Sequence, residues 1–454
     1  MLQSINPATN ELIGEFDEHS FIEVNEIIAK ANLAQVEWKN IDSVNRSDLL
    51  KQLSKLLEKN KDHLAKLMAL EMGKPLGQGR GEIEKCAWLC TFYADKAQGF
   101  LENEFIETDA SKSYVTFHAL GVILSIMPWN FPFWQALRFA APALMAGNGV
   151  ILKHSENTTS CALALEKMVH KAGFTAELFR TILVDKKNMK AVVQHEGIAA
   201  VTFTGSTKAG RIIASQAGEK LKKTVLELGG SDPYLIFGDA DIELAAMICA
   251  NSRLINSGQS CVAAKRFIVV ESVYDKFLAF FKTNLLEKKV GNPFDDFVAV
   301  GPLARLDLRD ELHRQVQESL DAGAIAEFGC EIHDEPGAFY PISLITNVGP
   351  GMPAYHEELF GPVAVIIKVK DIEEAIRVAN DTNYGLGAAI FSKDVERAEN
   401  IAANQLQAGC CFVNSLVKSD PRLPFGGIKD SGYGRELGLY GIREFVNVKT
   451  VWVE

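Results

Sequence analysis

The sequence predicts an α/β protein of parallel sheets covered by helices on both faces, and three observations carry that expectation. From Gly121 onward, short β-rich runs alternate with helical patterns, as crossover units require. Those β-rich runs are nearly continuously apolar, which suits strands buried on both sides. The chain has 454 residues, 47% of them hydrophobic and 23% charged, too many for one ordinary core, so two or three globular domains are expected.

The elements follow in order. "GVILSIM" reads as a strand, "QALRFAAPALMAG" as a helix and "GVILK" as a strand. "CALALEKMVHKAG" is a helix, "RTILV" and "IAAVTFTG" are strands, and "TKAGRIIASQAGE" is a helix. After Lys223 the pattern repeats. "TVLELGG" and "PYLIF" are strands, a helical stretch runs to about Ser257, and "RFIVV" leads into the helix "SVYDKFLAFFKTNL". No Pro/Ser-rich linker separates the halves, so the boundary near Lys223 to Gly229 is expected to be tight. Loops are expected at "GNPF", "NVGPGMP" and "PFGGIKDSG".

Composition excludes several functions. A net charge of −11 argues against a general phosphate-binding surface, so no nucleic-acid partner is expected. Ala119 to Leu137 lacks formal charge, but Pro128, Asn130, Pro132 and Gln135 interrupt it. It reads as a strand, a loop and a helix rather than a membrane span. The N-terminus has no basic region followed by an apolar core, so no signal peptide is expected. The eight cysteines form no C-x-x-C pair and the histidines lack ligand spacing, so no metal is expected. Scattered free cysteines fit a reducing, cytoplasmic setting.

Four stretches carry chemistry. "FTGSTKAG" (Phe203 to Gly210) follows a strand and opens a helix, where Gly205 and Ser206 suit either phosphate or a plain helix cap. "LELGG" leaves Glu227 at a strand end, as a surface carboxylate or a base at a pocket mouth. "PWNFP" holds Asn130 among aromatics and prolines, as a turn former or an oxyanion donor. "NSGQSCVAAKR" places Cys261 after small and polar residues, as a nucleophile or a buried filler.

Taken together with "EELFGPV" and "PFGG", in this order along nearly the whole chain, these motifs resemble the NAD(P)-dependent aldehyde dehydrogenases. The resemblance implies two Rossmann-like parallel-sheet domains plus a small β oligomerisation arm. The cofactor-binding domain would span 1–100 and 120–227, the catalytic domain 228–428, and the arm and C-terminal strand 101–119 and 440–454. "SKSYVTFHAL" and "VNVKTVWVE" have the alternating, β-rich character such an arm needs, and a homodimer or homotetramer is implied.

The resemblance further implies Cys261 as nucleophile, Glu227 as the base that activates water, and the Asn130 amide with the Cys261 N–H as oxyanion donors. Trp129, Lys153, Glu156, Gly205, Ser206, Glu358 and Phe360 would hold the cofactor. A carboxylate at Glu156 would repel a 2′-phosphate and favours NAD, while Lys153 leaves NADP open. His154 stands where a proline is usual. The short N-terminal part and "ILKH" look like the short bacterial succinate-semialdehyde dehydrogenase group, with Arg138, Ser419 and Phe425 as substrate contacts. Ile255 stands where some of those enzymes have a second arginine, Arg253 would point elsewhere, and Ala263 removes a neighbouring redox partner. Other small aliphatic aldehydes, a CoA-acylating activity and a non-catalytic member of the fold are the alternatives. Glu227 argues against the CoA-acylating one.

Overall fold

The computed structural model describes residues 1–333 and 336–454. Two sheets organise it. The first orders its strands Gly432–Tyr433, Lys223–Glu227, Ala200–Thr204, Val122–Met127, Gly149–His154 and Phe179–Thr181. All are parallel except Gly432–Tyr433, which returns from the far end of the chain antiparallel to Lys223–Glu227. The two-residue period of a strand divides its side chains between two cores. Val122, Leu124 and Ile126 pack with the helix Phe21–Trp38, whereas Ile123 and Met127 pack with the helices Ser43–Met72, Leu76–Phe100 and Trp134–Met145. Continuous apolar runs are thus the signature of a sheet covered on both faces.

The second sheet orders Ile325–Phe328, Ser343–Thr346, Val363–Val369, Arg266–Val270, Pro233–Ile236, Gly387–Phe391 and Cys410–Val413. Only its first strand is antiparallel. Here too Leu235 and Ile268 face one core while Tyr234, Ile236 and Phe267 face the other. Residues 228–232 alone separate Lys223–Glu227 of the first sheet from Pro233–Ile236 of the second, so the boundary is as tight as the sequence suggests. A third sheet pairs Val446–Val453 with Lys112–Ala119 and that strand with Glu104–Phe105, all antiparallel. Phe105, Val448 and Trp452 are exposed on it. No helix among the described residues is long and apolar enough to cross a membrane.

Two expected elements come out shorter. The "RTILV" strand is confined to Phe179–Thr181. Beyond it, Leu183 exchanges backbone and side-chain bonds with His19 (2.7 and 3.1 Å), so its hydrogen-bonding capacity goes to the loop before the first long helix rather than to the sheet. The helix expected to reach Ser257 ends at Leu254, because the next residues turn left-handed.

Candidate active site

After Leu254 the backbone enters a run of positive φ: Asn256 at 53°, Ser257 at 57° and Gly258 at 77°. The left-handed conformation costs a side-chain-bearing residue about 1–2 kcal/mol, so the surroundings must hold it. They do so with buried hydrogen bonds. The Asn256 N–H donates to Gln78 Oε1 at 2.6 Å, and Asn256 Nδ2 donates to the carbonyls of Asn130 at 2.7 Å and Gln259 at 3.1 Å. Ser257 Oγ and Gln259 Oε1 accept from the N–H groups of Gly301 and Ala304, both at 2.9 Å. At position 258 only glycine fits, since a Cβ would lie 2.1 Å from the Gly361 carbonyl oxygen. Arg253 is spent on the carbonyls of Ala264 and Gly258 (2.8 and 2.7 Å), which locks the loop and turns the guanidinium elsewhere, as expected.

This loop delivers Cys261 half-buried into a cavity of about 400 Å³, whose walls include Arg138, Ile255, Ser419 and Phe425. Burial pushes its thiol up to about 11, and the positive charges of Lys265 and Arg138 pull the other way. Lys265 Nζ donates to the carbonyls of Ser260 (2.8 Å) and Cys261 (2.6 Å).

Asn130 sits between the strand Val122–Met127 and the helix Trp134–Met145. That helix has no side-chain cap of its own; Glu82, from the helix Leu76–Phe100, accepts instead from the N–H groups of Phe133 (3.0 Å) and Trp134 (2.9 Å). Lys74 pairs with Glu82, both fully buried, and donates to the Asn130 carbonyl at 2.8 Å. Asn130 Nδ2 gives one bond to the Gln259 carbonyl at 3.1 Å, which leaves its second hydrogen unspent. The Cys261 N–H likewise has no protein acceptor among the described residues.

Glu227 closes its strand with 2% exposure and no hydrogen-bond partner for either carboxylate oxygen. The loop after "PF" packs against it, since a Cβ on Gly426 would come 2.7 Å from Oε1. Burial lifts its pKa well above the usual carboxylate range; Glu436 adds to the rise and Arg138 and Arg435 oppose it. Arg138 is itself ion-paired with Glu436, each 3% exposed, and its guanidinium stands 4.8 Å from the Phe425 ring centre.

On the other side of the sheet ends, Trp129 and Phe360 meet edge to face at 5.8 Å. Glu358 Oε1 accepts from the Gly230 N–H at 3.0 Å and pairs with Lys265 at 3.3 Å. Ser206 caps the helix Thr207–Gly218, accepting from Ala209 N–H at 3.4 Å, and the Gly205 N–H donates to the Glu227 carbonyl at 3.0 Å. His154 ends its strand with Nδ1 accepting from Ser155 N–H (3.0 Å) and Thr158 Oγ1 (2.8 Å), which leaves Nε2 to donate to the Pro132 carbonyl at 3.0 Å. Burial holds this imidazole down to about 4, so it is a neutral tether between the "KHSEN" turn and the "PWNFP" turn.

Residues 1–451 match the aldehyde dehydrogenase family. The chain belongs to that family. This aldehyde dehydrogenase is 46% identical, over 100% of its length and 99% of the relative's, to a Synechocystis protein named probable succinate-semialdehyde dehydrogenase (NADP+). A Paenarthrobacter nicotinovorans protein named aldehyde dehydrogenase is 44% identical, with 99% of each chain covered. The fold superposes with a TM-score of 0.97 on a solved succinic semialdehyde dehydrogenase from Streptococcus pyogenes in complex with NADP+, 38% identical with 100% of both chains covered.

The family implies a nicotinamide dinucleotide, and the residues present fit one. Lys153 is only 5% exposed, yet its ammonium has no hydrogen-bond or ion-pair partner among the described residues, and burial lowers its pKa. Glu156 begins the short turn that follows and adds its negative charge beside Lys153. Gly229 carries no Cβ where one would lie 2.4 Å from Glu358 Oε2, so backbone and carboxylate lie close there.

Sequence reasoning missed Lys74, Glu82, Lys85 and Asn256. A signal existed for Glu82. It shares a helical face with Cys86 and Leu89, so a carboxylate falls on an apolar stripe, where it needs a partner.

With the thiol held high, alkylation of Cys261 by iodoacetamide, followed by peptide mass spectrometry on the cofactor-free enzyme, is expected to keep accelerating up to pH 10. A rate that levels near pH 8 would contradict this electrostatic account.

Proposed function

We propose that this aldehyde dehydrogenase oxidises succinate semialdehyde to succinate. The charge of the cavity carries the reading. Its charged lining residues are Lys85, Arg138, Lys288, Lys418 and one carboxylate, Glu82; Lys74 matches Glu82 and Glu436 matches Arg138, which leaves Lys85, Lys288 and Lys418 in excess. In a chain of net charge −11 this concentrates positive charge beside Cys261, which suits an aldehyde that carries a carboxylate at its other end. The names of the Synechocystis and Streptococcus relatives agree with it.

In this reading Cys261 adds as the thiolate to the aldehyde carbon. The spare Asn130 Nδ2 hydrogen and the Cys261 N–H hold the oxyanion. Bound NAD(P) supplies the hydride acceptor. Glu227 then takes the proton of the water that hydrolyses the Cys261 thioester, which releases a free acid rather than an acyl-CoA. Burial favours its protonated form, so it takes up the water proton only after its own proton has left. The six-stranded sheet is the cofactor-binding half and the seven-stranded sheet the catalytic half. The exposed apolar residues of the third sheet serve a homodimer or homotetramer, and the eight free cysteines fit the cytoplasm.

NAD is the favoured acceptor on the strength of Glu156 alone, whose carboxylate opposes a 2′-phosphate; the relatives' names carry NADP+ instead. The test is kcat/KM for succinate semialdehyde, butanal and other aliphatic aldehydes, each with NAD and NADP. Succinate semialdehyde is expected to lead, and a lead by an uncharged aldehyde would refute the substrate assignment. Glu156→Ser is expected to shift the ratio toward NADP roughly tenfold, the scale of one charge-assisted contact. Cys261→Ala is expected to abolish oxidation. Glu227→Gln should release one equivalent of NADH or NADPH and then stall, whereas for the wild type the hydrolytic step should quicken as pH rises and Glu227 loses its proton. Steady turnover by Glu227→Gln would remove it from the hydrolytic step.

A further inference from the structure

Lys85 lies on the helix Leu76–Phe100 one turn beyond Glu82 and reaches into the cavity. Its Nζ donates to Ser419 Oγ at 2.8 Å and stands 4.1 Å from the Trp134 ring centre. Among the described residues it forms no ion pair, whereas Glu82 is taken by Lys74 and Glu436 by Arg138. The two inner cations of the cavity therefore differ. Arg138 is charge-matched within the protein and stands 4.8 Å from the Phe425 ring centre; Lys85 is not matched.

An ammonium half-removed from water without a counter-ion is costly unless an anion arrives to meet it. The Ser419 hydroxyl accepts from Lys85, so its own hydrogen is free for a carboxylate oxygen. Ile255 adds an apolar wall, and Lys288 and Lys418 are further cations of the lining.

We propose that Lys85 and Ser419 bind the distal carboxylate of the substrate, with the Trp134 ring beneath the ammonium, while Arg138 positions Phe425 through its pair with Glu436. This deepens the succinate-semialdehyde reading and rests on it. Burial pushes the Lys85 ammonium down to about 8, helped by Arg138 and opposed by Cys86, Asp420 and Glu82. The charged form is present below that pH and is lost above it, so carboxylate binding weakens as pH rises through about 8.

The experiment compares succinate semialdehyde with butanal in the wild type, Lys85→Met, Lys85→Arg and Ser419→Ala, each with saturating cofactor from pH 6.5 to about 9.5. Lys85→Met is expected to lower kcat/KM for succinate semialdehyde roughly ten- to hundredfold more than for butanal, mostly through KM. Lys85→Arg should recover part of that selectivity, and Ser419→Ala should lose a smaller part of it. In the wild type the KM for succinate semialdehyde should climb above about pH 8 more steeply than that for butanal, and Lys85→Met should flatten the difference. A wild type that prefers succinate semialdehyde, with Lys85→Met keeping that preference, overturns the assignment of Lys85 while leaving the function intact. A wild type with no preference overturns the functional reading, and the carboxylate subsite with it. If Lys85→Met does not fold, Ser419→Ala and the wild-type pH profile decide, and unchanged selectivity in both overturns the proposal.

Discussion

The backbone carbonyl of Asn130 accepts from Lys74 Nζ and Asn256 Nδ2, while the Asn130 side chain donates to the carbonyl of Gln259. This junction ties the turn after a first-sheet strand to the loop that precedes Cys261, which belongs to the second sheet's half of the chain. Everything the site needs is fixed relative to it. The left-handed run at Asn256 and Ser257 is sustained because its side chains close the junction. The helix bearing Arg138 starts where it does because Glu82, held by Lys74, caps it. Removing Lys74 would leave a buried carboxylate without its partner, the costly half of a broken buried pair.

Burial then decides protonation. Burial pushes the thiol of Cys261 and the carboxyl of Glu227 toward their neutral forms. Positive charge is held nearby by Lys265 and Arg138, each engaged with the protein, and by Lys85, which no carboxylate partners among the described residues. The acidic exterior and the cationic cavity are therefore separate features of one chain. The first follows from composition, the second from which side chains the fold turns inward.

Much of the architecture was legible because the sheets are covered on both faces. That arrangement writes continuous apolar runs into the sequence, and the runs from "GVILSIM" to "RFIVV" fall on strands. The failures have local causes. "RTILV" has the composition of a longer strand, but His19 satisfies part of its backbone. The helix before Cys261 stops early because Asn256 finds better partners in a left-handed turn than in another helical turn, and nothing in "INSG" announces those partners. Ser206 fulfils its plain reading as a helix cap.

The sequence by itself determined the family and the two parallel sheets and singled out Cys261, Asn130 and Glu227 as candidates, because these rest on ordered motifs and on patterning local to each segment. Only the tertiary structure decided which charges are matched. Arg138 is offered as a carboxylate contact by the family resemblance, yet Glu436, 298 residues further on, pairs with it. Lys85 carries no motif and gains its character from Ser419 and Trp134, supplied by other parts of the chain. Electrostatic pairing depends on distance through space, and a linear sequence records only distance along the chain.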